Sequence, residues 1–115
     1  MAVTIYHNPR CSKSRQTLAL LEAQGAEVKI VRYLETPPSA GTIKSILKKL
    51  GVGPRDLMRK KEAPYKELKL DDQSLGDAAL IKALVDNPIL IERPIVVAGD
   101  RAAIGRPPEA VLDIL

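Results

Sequence analysis

Between Ala2 and Tyr33 the chain passes through a strand pattern, a helix and a second strand, and this order limits the possible folds more than any other feature. Residues 2–6 combine β-branched and aromatic types and end at the turn-forming His7-Asn8-Pro9. From Ser12 to Gln24 the residues favour a helix with Leu18, Leu20 and Leu21 buried, and Gly25 stands where a left-handed C-terminal cap belongs. Val28, Ile30 and Tyr33 mark one face of a second strand over 27–33. A strand–helix–strand crossover is right-handed, so the two strands run parallel, adjacent or with another strand between them.

Pro37-Pro38 breaks the chain, and Ser39 caps a helix whose Ile43, Ile46, Leu47 and Leu50 keep helical spacing. Gly51 and Gly53 end it. Pro54 opens a short helix through Lys60, and Pro64 to Leu68 adds another turn. A Ser74-x-x-Asp77 capping box starts a helix carrying Leu80, Ile81, Leu84 and Val85, stopped by Asn87-Pro88. Residues 39–87 thus form a helical insertion. Strand character returns at Pro94 to Ala98, and Gly99-Asp100 makes a two-residue hairpin turn into an antiparallel strand, Arg101 to Ile104. A last helix over 108–115 lays Ala110, Val111, Ile114 and Leu115 on a sheet face. The order βαβ, helical insertion, ββα describes one α/β domain with a thioredoxin/glutaredoxin-like core over residues 1–115.

Composition narrows the function. The longest apolar runs, Leu18 to Leu21 and Pro94 to Gly99, fall far below the roughly 18 residues of a membrane span. The sequence enters its first strand without a basic region or a long apolar stretch, so a cytoplasmic protein with a reduced thiol is expected. A net charge of +4 points to anionic partners. Nucleic acid fits poorly, because the chain has no Phe or Trp to stack on bases and its cations are scattered. A structural zinc site needs four Cys or His ligands, and only Cys11 and His7 are present, so no metal is expected.

Cys11 is the sole cysteine and lies where the first strand hands over to the first helix. The partial positive charge of a helix N-terminus, with Arg10, Lys13 and Arg15 nearby in sequence, lowers a thiol pKa and favours the attacking thiolate. The bland alternative is a small buried hydrophobe. A CxxC dithiol would need cysteine at 14, which is Ser14, so reduction must come from an outside thiol. A CxxxxxR phosphatase loop would need arginine at 17, which is Thr17, so arginines from elsewhere must hold any oxyanion. Arg59, Arg93 and Arg106 each sit at an element edge, and three guanidinium groups suit a tetrahedral anion, although each alone fits a solvated surface role equally well. His7 either polarises the thiol loop or is a hydrogen-bonded loop residue.

The segments Ile5-Tyr6-His7-Asn8-Pro9-Arg10-Cys11-Ser12-Lys13-Ser14-Arg15, Tyr33 to Pro38, Leu57 to Lys60, Glu92 to Val97 and Gly105-Arg106-Pro107 resemble, in order and spacing, those of the glutaredoxin-linked ArsC arsenate reductases. The resemblance covers nearly the whole chain. It implies that Cys11 attacks arsenate or a similar oxyanion, that Arg59, Arg93 and Arg106 hold it, that His7 and Ser14 shape the loop, and that Pro94 follows a cis bond. It further implies glutathione as reductant, glutaredoxin as the protein that clears a mixed disulfide, and no bound cofactor. The chain stops at Leu115 without the C-terminal extension of better-known members, which likens it to the short YfgD-type branch, and Ser12-Lys13 replaces smaller uncharged residues of the loop. Two other functions share the same thiolate: a glutathione-dependent thiol reductase, and a non-enzymatic Spx-like redox regulator that binds RNA polymerase. Spx-type sensing generally uses CxxC, which Ser14 interrupts.

Overall fold

The computed structural model describes residues 1–115, which divide into two compact units, residues 1–36 with 93–115 and residues 37–92. The first is built on a four-stranded sheet of β1 (Ala2–Tyr6), β2 (Glu27–Val31), β3 (Ile95–Ala98) and β4 (Arg101–Ile104), in the order β2-β1-β3-β4. Helix α1 (Ser12–Ala23) makes the crossover, and β1 and β2 pair parallel from Ala2 opposite Glu27 to Tyr6 opposite Val31. β3 runs antiparallel to β1, and the Gly99-Asp100 turn returns β4 antiparallel to β3. This is the thioredoxin-like α/β arrangement expected from the element order.

The period of two in β1 turns Val3 and Ile5 inward, where they meet Leu21, Val96 and Val111 in a core flanked by Leu18, Leu20, Val28, Ile114 and Leu115. The face that α1 buries differs from the expected leucine stripe: Ser14, Thr17 and Leu21 are buried, while Leu18 and Leu20 are half-exposed. Thr17 satisfies its hydroxyl on the Lys13 carbonyl at 2.8 Å. The second strand ends at Val31, because the Glu35 and Thr36 N–H groups both fold back onto the Arg32 carbonyl. Tyr33 therefore lies in that turn, fully buried, and Ile30 on the edge strand is 48% exposed instead of facing a core. The last helix, Pro108–Ile114, has 3₁₀ geometry.

In the second unit Ser39 caps α2 (Ala40–Leu50) by accepting from the Thr42 N–H at 3.2 Å, and Gly51, with φ of 71°, ends it in the left-handed region. α2 packs against α4 (Asp77–Asp86), burying Ile43, Ile46, Leu47, Leu80, Ile81 and Leu84. The expected capping box is not formed. Gly76 is the cap of α4, while the Ser74 N–H and hydroxyl both bond to Asp72 Oδ1 and hold its carboxyl below the usual range. The helix opened by Pro54 is a 3₁₀ turn that stops at Leu57, because Arg59 N–H donates to the Leu90 carbonyl and Glu92 N–H to the Leu57 carbonyl, pairing Met58 with Ile91. A further turn of helix, α3, spans Ala63–Glu67.

Gly105 follows β4 and donates its N–H to the Pro94 carbonyl at 2.9 Å. A Cβ there would lie 2.5 Å from Thr17 Oγ1 and 2.8 Å from Pro94 Cγ, both on buried residues. Gly105→Ala is thus expected to destabilise the fold by about 1–3 kcal/mol through overpacking. Chemical denaturation measures this, and a midpoint equal to that of the parent would contradict the close approach.

Candidate active site

Backbone hydrogen bonds and the Asn8 side chain fix the loop from β1 to α1. His7 N–H donates to the Val31 carbonyl at 2.8 Å, Cys11 N–H to the Asn8 carbonyl at 3.0 Å, and Arg10 N–H to Asn8 Oδ1 at 3.0 Å. Asn8 organises this loop at three points, a role that its place in an Asn-Pro pair hints at but that the sequence reading did not assign. Cys11 then occupies the N-cap of α1 in extended geometry, and its side chain faces the backbone N–H groups of Ser14 and Lys13.

Arg106 and Cys11 are 95 residues apart, yet the Nη2 of Arg106 reaches within 3.7 Å of Cys11 Sγ. Its Nε donates to the Arg93 carbonyl at 2.8 Å, so the guanidinium plane is held from both ends. The Arg93–Pro94 bond is cis, as expected, and the Arg106–Pro107 bond, which the sequence reading did not single out, is cis as well. Partial burial by itself raises the thiol pKa. The Ser14 N–H, the charge of Arg93, the Lys13 N–H and the charge of Arg106 together outweigh it and hold the thiol below its ordinary value. Arg106 thus reaches the sulfur and the charge of Arg93 favours its ionised form, while the sulfur is half-buried and not sealed in a core. Arg59 lies in the second unit, where Nη2 pairs with Glu62 Oε1 at 2.7 Å and Nη1 points at the Ile89 carbonyl at 3.5 Å.

His7 and Ser14 are both buried, with Nδ1 and Oγ 2.6 Å apart, and the Asn8 N–H donates to the same oxygen at 3.0 Å. Burial, then Arg32 and Arg15, lower the His7 pKa and keep the ring neutral at neutral pH. Ser14 Oγ accepts from Asn8 and shares a second hydrogen bond with Nδ1, tying the strand end to the first turn of α1. Ser14→Ala is expected to cost about 1–3 kcal/mol by leaving the buried His7 Nδ1 and the part-buried Asn8 N–H without their partner. Since the folded His7 has its pKa depressed, its contribution to stability is complete above the ordinary value of 6.5 and is lost as the pH falls through the folded value. Denaturation midpoints between pH 5 and pH 8 check both effects, and a variant as stable as the parent at every pH would contradict them.

No group of three or more His, Cys, Asp or Glu side chains is placed to hold a metal ion, and no helix is long and apolar enough to cross a membrane. The sequence profile of the ArsC family matches residues 6–114, which takes in the thiol loop, Arg93, Arg106 and Arg59. The chain belongs to the ArsC family. This ArsC-family protein is 61% identical over 114 residues to the YfgD protein of Escherichia coli strain K12, covering 98% of this chain and 96% of that relative. It is 54% identical over 116 residues to a protein of Haemophilus influenzae named arsenate reductase, covering the whole of both. Among solved structures, an arsenate reductase from Vibrio cholerae superposes with a TM-score of 0.97 at 55% identity, covering 100% of this chain and 98% of that one. The ArsC-family site so assembled presents an ionisable sulfur beside two cations at a helix N-terminus, an arrangement suited to nucleophilic attack on an electrophilic anion.

Proposed function

We propose that this protein is an arsenate reductase in which Cys11 is the nucleophile and glutathione, with glutaredoxin, supplies the electrons. The observation that carries the reading is the approach of Arg106 Nη2 to Cys11 Sγ at the N-terminus of α1. It gains support from the relatives named arsenate reductase in Haemophilus influenzae and Vibrio cholerae. Arg93 and Arg106 are the proposed anion-holding residues on the sheet unit, with Arg59 assigned as the third by family resemblance, and Pro94 shapes the backbone beside them.

In the proposed cycle the Cys11 thiolate attacks arsenic(V), an arsenic–oxygen bond breaks, and the departing oxygen leaves as water after protonation. A glutathione thiolate then attacks Sγ. The sulfur–arsenic bond breaks with its electron pair retained on arsenic, which becomes arsenic(III) and leaves as arsenite, while Cys11 is left in a disulfide with glutathione. Glutaredoxin attacks the glutathione sulfur of that disulfide and returns Cys11 as thiolate. His7 and Ser14 hold the loop geometry throughout. The reaction uses no resident cofactor and suits a reducing compartment such as the cytoplasm.

Purified protein given arsenate, glutathione and glutaredoxin should release arsenite with glutathione oxidised in proportion. Disulfide reduction on a glutathionylated substrate without any arsenite release under the same conditions would overturn this reading in favour of a thiol reductase.

A further inference from the structure

A cleft of about 320 Å³ lies between residues 7–10 and the turn after β2, where Arg32, Leu34 and Glu35 form its other wall. Its volume matches the lower end of the range of small-molecule sites. Arg10, the residue before the nucleophile, faces Arg32 and Glu35 across it, and none of these three side chains is held in an ion pair within the chain. Leu34 is 45% exposed although it is a large aliphatic residue, and with Pro9 it gives the cleft an apolar floor. His7 lines the same space and is kept neutral, so the fixed charges of the cleft are two cations and one anion.

We propose that this cleft seats the glutathione that reduces the Cys11 adduct, with Arg10 and Arg32 receiving its two carboxylates and Glu35 its ammonium. The proposal rests on the arsenate reductase reading above. A γ-glutamyl tripeptide thiol carries two carboxylates and one ammonium, which is the charge pattern of the cleft with each sign reversed. Guanidinium groups match carboxylates with paired hydrogen bonds, and a single glutamate discriminates in favour of a free amine. A tetrahedral oxyanion carries no ammonium for Glu35 to pair with, so the same cleft favours the tripeptide over the oxyanion. Residues 7–10 run directly into Cys11, and in this proposal the central thiol of the docked tripeptide reaches from the cleft to that sulfur.

S-methylglutathione, whose thiol cannot react, is the probe. In an NMR titration of the labelled protein its shifts should concentrate at residues 7–10 and 32–35. Arg32→Ala should weaken binding about tenfold, the loss expected for one charge-assisted contact. Arg32→Lys should recover only part of it. The N-acetylated probe, which lacks the ammonium, should bind the parent and Glu35→Gln equally. In turnover, Arg32→Ala should raise the KM for glutathione more than that for arsenate. Arg32 and Glu35 are exposed, so these variants keep the fold. Shifts confined to other residues, or a glutathione KM untouched by Arg32→Ala while arsenite is still produced, would overturn the cleft assignment and leave the reductase reading standing. Binding of the probe at the cleft in a protein that never releases arsenite would instead overturn the reductase reading.

Discussion

Replacing Cys11 with serine is expected to lower arsenate reduction by on the order of 10⁴-fold or more, down to background, because no other side chain can take over the attack. The arrangement that depresses the thiol pKa, two N–H groups of α1 with Arg93 and Arg106, cannot ionise an alcohol at neutral pH. The same substitution is not expected to weaken the fold. Cys11 occupies the N-cap of α1 with its sulfur facing two N–H groups but without closing a cap hydrogen bond, whereas serine is among the preferred residues there and contributes roughly 0.5–2 kcal/mol against a non-capping residue. Opposing this is the stability supplied by the sulfur wherever it is ionised in the folded state. A thiol with a depressed folded pKa adds stability above its unfolded pKa and loses it as the pH falls through the folded value. The serine variant should therefore gain most over the parent on the acid side of the folded thiol pKa. Steady-state assays and denaturation midpoints across pH test the pair of effects; a serine variant that retains turnover, or that unfolds where the parent does not, would count against the site as described.

Arg106→Lys has the second-largest expected effect. Lysine keeps the charge but has no planar fork, so it cannot bond to the Arg93 carbonyl and reach Sγ together. The kcat/KM for arsenate should drop by about 10²–10³-fold, the range seen when one preorganised donor to a developing anion is removed. Thiol reactivity should move to higher pH less in Arg106→Lys than in Arg106→Ala, because the retained charge still favours the thiolate. The assay thus separates charge from geometry. Equal kinetics for arginine and lysine at 106 would mean that the forked contact has no part in holding the anion.

Much of this was legible in the sequence because local chemistry decided it. Gly25 and Gly51 marked helix ends that adopt left-handed geometry, and Gly99-Asp100 marked the hairpin. Cys11 could be placed at a helix N-terminus from the strand and helix on either side of it. What escaped was decided by partners distant in the chain. Ser14 and Thr17 occupy the buried face of α1 in place of two leucines, since His7, Asn8 and the Lys13 carbonyl satisfy their hydroxyls and Gly105 leaves room for Thr17. The Pro54 helix stops early because residues 57–59 pair with 90–92. Ser74 answered to Asp72 instead of to α4, a choice between two local bonds that residue type does not decide. The action of Arg93 and Arg106 on the thiol was suggested by family resemblance, and no spacing in the chain could have derived it.

The alkylation rate of Cys11 with iodoacetamide, followed from about pH 5 to pH 10 with and without arsenate, reports both the ionisation of the sulfur and the occupancy of the anion site. The expected result is a midpoint below that of free glutathione in the same buffer, and protection by arsenate that saturates. A midpoint at or above that of glutathione, with a rate indifferent to arsenate, would contradict a thiolate poised beside an oxyanion site.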